Sequence, residues 1–170
     1  MQYSKRIEIN NLREIQQELI NYNFFEAAPD IENADAPLIK DLRSGISFST
    51  VPNLPKLKEF LESTVNTNLI THFHIINIGP MEYTGIHHDV DDETWALNIP
   101  ILNCEYSSTV WYDDNDNELE RICLDTVHFL NVVSRHQVIN HCDENRLVIT
   151  IRFTGTHDLD KIRKSIERKN

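Results

Sequence analysis

Two hydrophobic rhythms divide this chain. Up to about residue 69 the apolar positions recur at helical spacing. Leu12, Ile15, Leu19 and Ile20 follow Asn10 and Asn11, which can cap, and predict a helix over about residues 11–22. Leu57, Phe60, Leu61 and Val65 share one side of a second helix predicted from Leu54 to Val65. Between them lie a polar, Pro-containing stretch from Glu26 to Lys40 and a short strand in which Ile46 and Phe48 alternate with Ser47 and Ser49. From Ile70 onward β-branched and aromatic residues come instead in short runs between polar turns: THFHIINIG, YTGIHHD, WALNIPIL, STVWYD, TVHFLNV, HQVIN and RLVITIRF. These strands, with almost no helical pattern among them, argue for an antiparallel sandwich or barrel rather than βαβ units, with the two helices as cover for a sheet. DDNDNE, from Asp113 to Glu118, has the composition of a solvated hairpin tip and lacks the Gly and terminal Glu of an EF-hand loop. DLDKIRKSIERK predicts an exposed C-terminal helix with an Asp cap and an apolar stripe of Leu159, Ile162 and Ile166.

Composition narrows this picture. At 170 residues and 40% hydrophobic the chain fills one ordinary core, and with Gly 4 and Pro 6 nothing reads as a linker or repeat. The expected organisation is a single domain over 1–170, with helical support about 1–69, a β core about 70–154 and a C-terminal helix about 158–168. The formal net charge of -11 gives a surface that repels phosphate backbones, so nucleic acid is an unfavourable partner. Cys104, Cys123 and Cys142 are odd in number and widely spaced, which suits reduced thiols, each expected as a small buried side chain. MQYSKRIEINN has no apolar signal region and no run approaches the ~20 apolar residues of a membrane helix, so a cytoplasmic protein without a membrane segment is expected.

The candidate chemistry begins at GIHHDV. His87 and Asp89 are two residues apart at the end of a predicted strand, so both point to one side and can close on one metal ion. A His and a carboxylate are two of the three ligands of the facial triad of non-haem Fe(II). His88 lies between them and faces the other way. His72 and His74 share a strand face and either join a metal site or line a wall; His128 and His157 have no partner at a telling spacing. His136 opens HQVINHCDENRLVITIRF, and Arg146 follows ten residues later at the head of a strongly β-like run. A guanidinium there is costly unless it meets an anion, because it cannot discharge itself by losing a proton. A dicarboxylate co-substrate would supply that anion bidentately; a turn pairing with Asp143 or Glu144 would do so structurally. His141, with Arg152 eleven residues on, competes with His136 for the third position, although NHCDEN reads as a turn and Arg152 lies deep in the strand.

The ordered set His87, Asp89, His136 and Arg146, over roughly residues 70–154, resembles the Fe(II)- and 2-oxoglutarate-dependent oxygenases, double-stranded β-helix (jelly-roll) members of the cupin superfamily. The resemblance implies a jelly roll with N-terminal helices covering one sheet. It implies Fe(II) held by His87, Asp89 and His136, and Arg146 on the distal carboxylate of 2-oxoglutarate. O2 would take the last coordination site, and oxidative decarboxylation to succinate and CO2 would be coupled to hydroxylation of a C–H bond. Where some family members carry Ser or Thr two residues after the Arg this chain has Val148, so Thr109, Trp111 or Tyr112 is the candidate second partner of the carboxylate. WALNIPILN is similar to the Pro-containing strand of the aspartyl/asparaginyl and free amino acid hydroxylases, but Trp95 and Asn98 stand where that group often has an Arg.

The expected activity is hydroxylation of a small molecule or an amino acid or protein side chain. Two other readings stay open at this level: a cupin-type metal enzyme or sensor that does not use 2-oxoglutarate, and a β-sandwich binding module without catalysis. Substrate identity and oligomeric state are not encoded in any motif.

Overall fold

The computed structural model describes residues 2–22, 46–48, 53–89, 94–154, 156 and 158–164. Nine strands and three α-helices are described: β1 Ser4–Ile7, α1 Leu12–Asn21, β2 Ile46–Phe48, α2 Pro55–Thr64, β3 Ile70–Ile78, β4 Trp95–Leu102, β5 Ser107–Tyr112, β6 Glu118–Cys123, β7 Val127–Asn131, β8 His136–Asn140, β9 Arg146–Phe153 and α3 Leu159–Ile162. They form a six-stranded sheet in the order β1-β7-β4-β9-β3-β2 and a three-stranded sheet in the order β6-β5-β8. Every pairing is antiparallel. The two sheets face each other as a jelly roll, an antiparallel sandwich of the kind the short-strand pattern argues for and the fold that the resemblance implies.

Strand periodicity decides what lies on either side of the large sheet. On β9, Leu147, Ile149, Ile151 and Phe153 point away from the small sheet. They join Phe73 and Ile75 of β3 and Leu97 and Ile99 of β4 in the main core. That core is closed by Ile15 and Leu19 of α1 and Leu57, Phe60 and Leu61 of α2, so both predicted helices are cover for the sheet. They are also tied to each other. Pro at the start of α2 sets its first turn, and the backbone N–H groups of Lys56 and Leu57, which have no helical acceptor, donate to the Glu18 carboxylate of α1.

Four local expectations change. Segment 83–89 is not a regular strand. It follows β8 through isolated bridges, Tyr83 to Ile139 and His87 to His136. Two strands escaped the pattern: β1 at the edge beside β7, and β6, where the charged Glu118, Glu120 and Arg121 interrupt the apolar alternation of a half-buried strand. Such charge suits an edge strand, which must resist further pairing. The C-terminal helix ends at Ile162, because Arg163 turns extended and bridges Val65; Ile166 lies outside the described residues. All three cysteines are free, but only Cys104 is buried, while Cys123 sits exposed at the end of β6.

The DDNDNE tip is the β5–β6 turn. Asp113 Oδ1 accepts the N–H groups of Asn115 and Asn117, and Asp116 takes a left-handed φ of 62°. The Glu26–Lys40 stretch lies outside the described residues. Among the described residues no helix is long and apolar enough to cross a membrane.

Candidate metal centre

Between the sheets lies a cavity of about 120 Å³, into which β9 turns its other face: Arg146, Val148, Thr150 and Arg152. The small sheet and segment 84–89 supply Thr109, Val138, His136, His87 and Asp89, and β4 supplies Asn98. One buried water needs roughly 10–15 Å³ on a comparable measure, so the space suits a small organic molecule of several heavy atoms.

His87, Asp89 and His136 meet at one end of this cavity, each offering a ligand atom within 4.8 Å of the others. Backbone hydrogen bonds place them. His87 N–H donates to His136 O at 2.9 Å, His136 N–H returns a bond to His87 O at 2.7 Å, and Asp89 N–H donates to Val132 O at 2.9 Å. The ring nitrogens are assigned in the same way. Nδ1 of His87 lies 2.8 Å from Gly85 O and Nδ1 of His136 lies 2.9 Å from Ser134 O. A carbonyl can only accept, so each Nδ1 carries the proton and each Nε2 keeps its lone pair for a metal. His87 Nε2 stands 3.5 Å from Asp89 Oδ1. Burial lowers the His136 pKa, which keeps that imidazole neutral as a ligand requires. Two imidazoles and one carboxylate on one side, with open cavity on the other, fit a facial metal site.

Arg152 completes the centre. Its Nη2 donates to Asp89 Oδ2 at 2.5 Å, leaving Oδ1 toward the histidines. In the sequence Arg152 stands out only as the arginine eleven residues beyond His141. The pair spans 63 residues, and no local spacing announces it.

Arg146 sits at the opposite end and is 1% exposed. Its Nε donates to Ser107 Oγ at 2.9 Å, and among the described residues no carboxylate meets its guanidinium. Burial pulls its pKa down, opposed only by the nearby Cys104 thiol. Neither turn acid takes the pairing role: Glu144 accepts from Asn103 Nδ2, and Asp143 from Cys142 Sγ. A buried cation facing a cavity without a counter-ion is a site for an anion.

The other candidates separate. Thr109 lines the cavity and its buried hydroxyl has no hydrogen-bond partner among the described residues. Tyr112 is not among the cavity-lining residues; its hydroxyl donates to Gln137 Oε1. Trp111 is buried between the sheets with its indole N–H on Asn131 O. The hydroxyl that Arg146 does meet, Ser107, was not singled out from the sequence. His141 is remote from the triad, exposed beside Ser108 Oγ in a surface depression with Met81 and Tyr106. His88 is exposed. His72 and His74 stack edge to face, with centroids 4.4 Å apart, and burial lowers the His74 pKa to about 4. His128 is buried on β7 with neither ring nitrogen hydrogen-bonded among the described residues, and His157 lies outside them.

No protein-family model and no curated protein sequence matches this chain. Solved structures do. A prolyl-4-hydroxylase from Pseudomonas putida superposes with a TM-score of 0.56 at 10% identity, over 91% of this chain and 93% of that one. A viral collagen prolyl hydroxylase from Paramecium Bursaria Chlorella virus-1, solved as a 2OG complex, gives 0.52 at 13% identity, over 91% and 97%. The oxalate decarboxylase of Bacillus subtilis gives 0.42 at 10% identity over 67% of this chain, which spans only 26% of that enzyme's length. At such identities the likeness establishes the fold, which this chain shares with the two hydroxylases along nearly its whole length.

Proposed function

We propose that this protein is an Fe(II)- and 2-oxoglutarate-dependent oxygenase that hydroxylates a small molecule or an amino acid side chain. The observation that carries the reading is Arg146: a buried guanidinium that meets no carboxylate among the described residues, in the same cavity as a His-Asp-His cluster. A metal site alone has no use for such a cation. A diacid that reaches from the metal to Arg146 uses both.

The dimensions agree. In the small sheet Trp111 pairs with His136, Thr109 with Val138 and Ser107 with Asn140. From the His136 level to the Ser107 level is four residues, or about 14 Å of strand. The Arg146 side chain and a five-carbon diacid share that span, and Thr109 sits midway with a free hydroxyl for the distal carboxylate. The fold held in common with two hydroxylases, one of them a 2OG complex, is compatible with this use.

Iron with 2-oxoglutarate and O2 supplies the oxidative chemistry, in which the oxo acid leaves as succinate and CO2 while a substrate C–H becomes C–OH. The chain's own part is positional. The carbonyls of Gly85 and Ser134 hold the two imidazoles in the ligating tautomer, Arg152 turns one oxygen of Asp89 toward them, Arg146 anchors the far end of the acid, and Val138 and Val148 keep water from the span between. Anaerobic addition of Fe(II) and 2-oxoglutarate should give the visible charge-transfer band of the chelate. A folded protein that binds Fe(II) without the band would exclude the oxygenase and leave the metal enzyme or sensor that does not use 2-oxoglutarate.

A further inference from the structure

Away from the metal centre, the surface depression beside His141 has a volume of about 480 Å³ and is built from three connections. The turn after β3 gives Met81, the β4–β5 connection gives Asn103 and Tyr106, and the β8–β9 turn gives His141, Asp143 and Glu144. Its size falls in the range of ligand pockets, roughly 300–1,000 Å³. Large apolar side chains stand in water here: Met81 is 67% exposed and Tyr106 57%. Met81 does so at a left-handed φ of 56°, which its Cβ disfavours, and Asn103 has a φ of 53°. The Met81 N–H, donating to Cys142 O at 2.9 Å, fixes the backbone in that conformation. The fold gains little burial from the side chain so presented.

Charge says what would cover it. Asp143 and Glu144 line the depression, and Glu82 and Glu105 are exposed beside Met81 and Tyr106 in the chain. Among the described residues none of these four acids is in an ion pair, and no lysine or arginine lines the depression. No lysine or arginine occurs anywhere between Lys58 and Arg121. Carboxylates beside an aromatic ring and a thioether suit a guanidinium or ammonium group whose aliphatic stem lies on the apolar atoms. The neighbouring surface favours a polymer over a free cation. From Met81 the chain runs past Tyr83, 69% exposed, and Ile86, 37% exposed, to His87, at most about 20 Å of extended chain. Exposed apolar side chains thus continue from the depression toward the candidate metal ligands.

We propose that this depression docks a basic segment of a partner polypeptide, with an arginine or lysine seated between Tyr106 and the carboxylates and an apolar residue against Met81. Docking of this kind does not depend on the reaction at the metal centre.

The test titrates the full chain into a fluorescein-labelled hexapeptide of alternating arginine and leucine, and into counterparts with glutamate or glutamine in place of arginine, read by anisotropy. The basic peptide should bind at least about tenfold more tightly than either counterpart, and its affinity should fall as salt rises. Tyr106→Ala and Met81→Gly should each weaken it about tenfold. Glycine takes the left-handed backbone without strain, so thermal unfolding of Met81→Gly should match or exceed wild type, with Mn(II) affinity unchanged. Asp143→Asn should weaken the peptide about threefold, whereas Asp114→Asn, the same charge change on the exposed β5–β6 turn, should leave it unchanged. Wild-type protein that binds none of the peptides, or all three equally, would overturn the docking site. So would undiminished affinity in both Tyr106→Ala and Met81→Gly, or equal losses in Asp143→Asn and Asp114→Asn. Spermidine that displaces the peptide at equal concentration would make the occupant a free polycation and overturn the polypeptide. None of these results bears on the oxygenase reading, which the chelate band tests separately.

Discussion

The two faces of β9 are equally buried and chemically opposite. Leu147, Ile149, Ile151 and Phe153 press into the helix-covered core, while Arg146, Val148, Thr150 and Arg152 line the cavity, and all eight are buried. Burial therefore does not distinguish core from site in this strand. What distinguishes them is whether polar groups are satisfied. The core face has none to satisfy, whereas the cavity face carries, among the described residues, a guanidinium that meets no carboxylate and a hydroxyl without a hydrogen-bond partner. A folded chain tolerates such groups where a ligand accounts for them.

If that contrast is right, the two faces fail in different assays. Phe153→Ala on the core face should cost about 3–5 kcal/mol of stability, read from urea unfolding. Metal affinity of the fraction still folded should be preserved. Arg146→Met on the cavity face should do the reverse. Loss of a buried charge contact removes about 2–5 kcal/mol of binding, or from roughly thirtyfold upward in 2-oxoglutarate affinity. Stability should hold or rise, since an unpaired buried cation is replaced by a thioether.

Arg152→Met sharpens the comparison within the cavity face. Outer partners of metal ligands are worth about 10–100-fold in metal affinity, so Mn(II) should bind that much more weakly, measured by competition with a chromophoric chelator. Arg152→Lys should recover part of the loss by keeping a cation beside Asp89 Oδ2.

Acid should act on the cavity side as well. Burial lowers the pKa values of His74, His128 and His136 in the folded protein. Above the ordinary histidine value of ~6.5 both states are neutral and nothing is gained or lost. As pH falls below it the unfolded chain takes up protons that the folded chain resists, so stability drops, for His74 down to about 4. His128, with Asp125, Arg6 and Glu120 near it and no hydrogen bond of its own among the described residues, is the simplest to remove; His128→Phe should flatten the slope of urea midpoints between pH 7 and 5.

The parts of this arrangement legible in sequence are those with local periodicity. HQVIN and RLVITIRF mark β8 and β9 to the residue, and His87, Asp89, His136 and Arg146 appear in order along the chain. The periodic face of each helix likewise marks α1 and α2. Where periodicity is weak the reading fails. β1 is a four-residue edge strand, charged residues interrupt β6, and segment 83–89 holds its ligands through isolated bridges, with Gly85 accepting from His87. The partners of the site were hidden for a different reason. Arg152 meets Asp89, Arg146 meets Ser107, and Asn98 faces the same space as Thr150 only because the strands are in register. Spacing in one strand says which face a residue takes, but not what stands across from it.

A cavity that holds a metal and a diacid together should reveal the coupling in calorimetric titration of 2-oxoglutarate into anaerobic protein. Binding is expected to the Mn(II)-loaded wild type, with little binding without metal and a loss of at least about thirtyfold in Mn(II)-loaded Arg146→Met. Equal affinity with and without Mn(II), or an undiminished affinity in Arg146→Met, would contradict it.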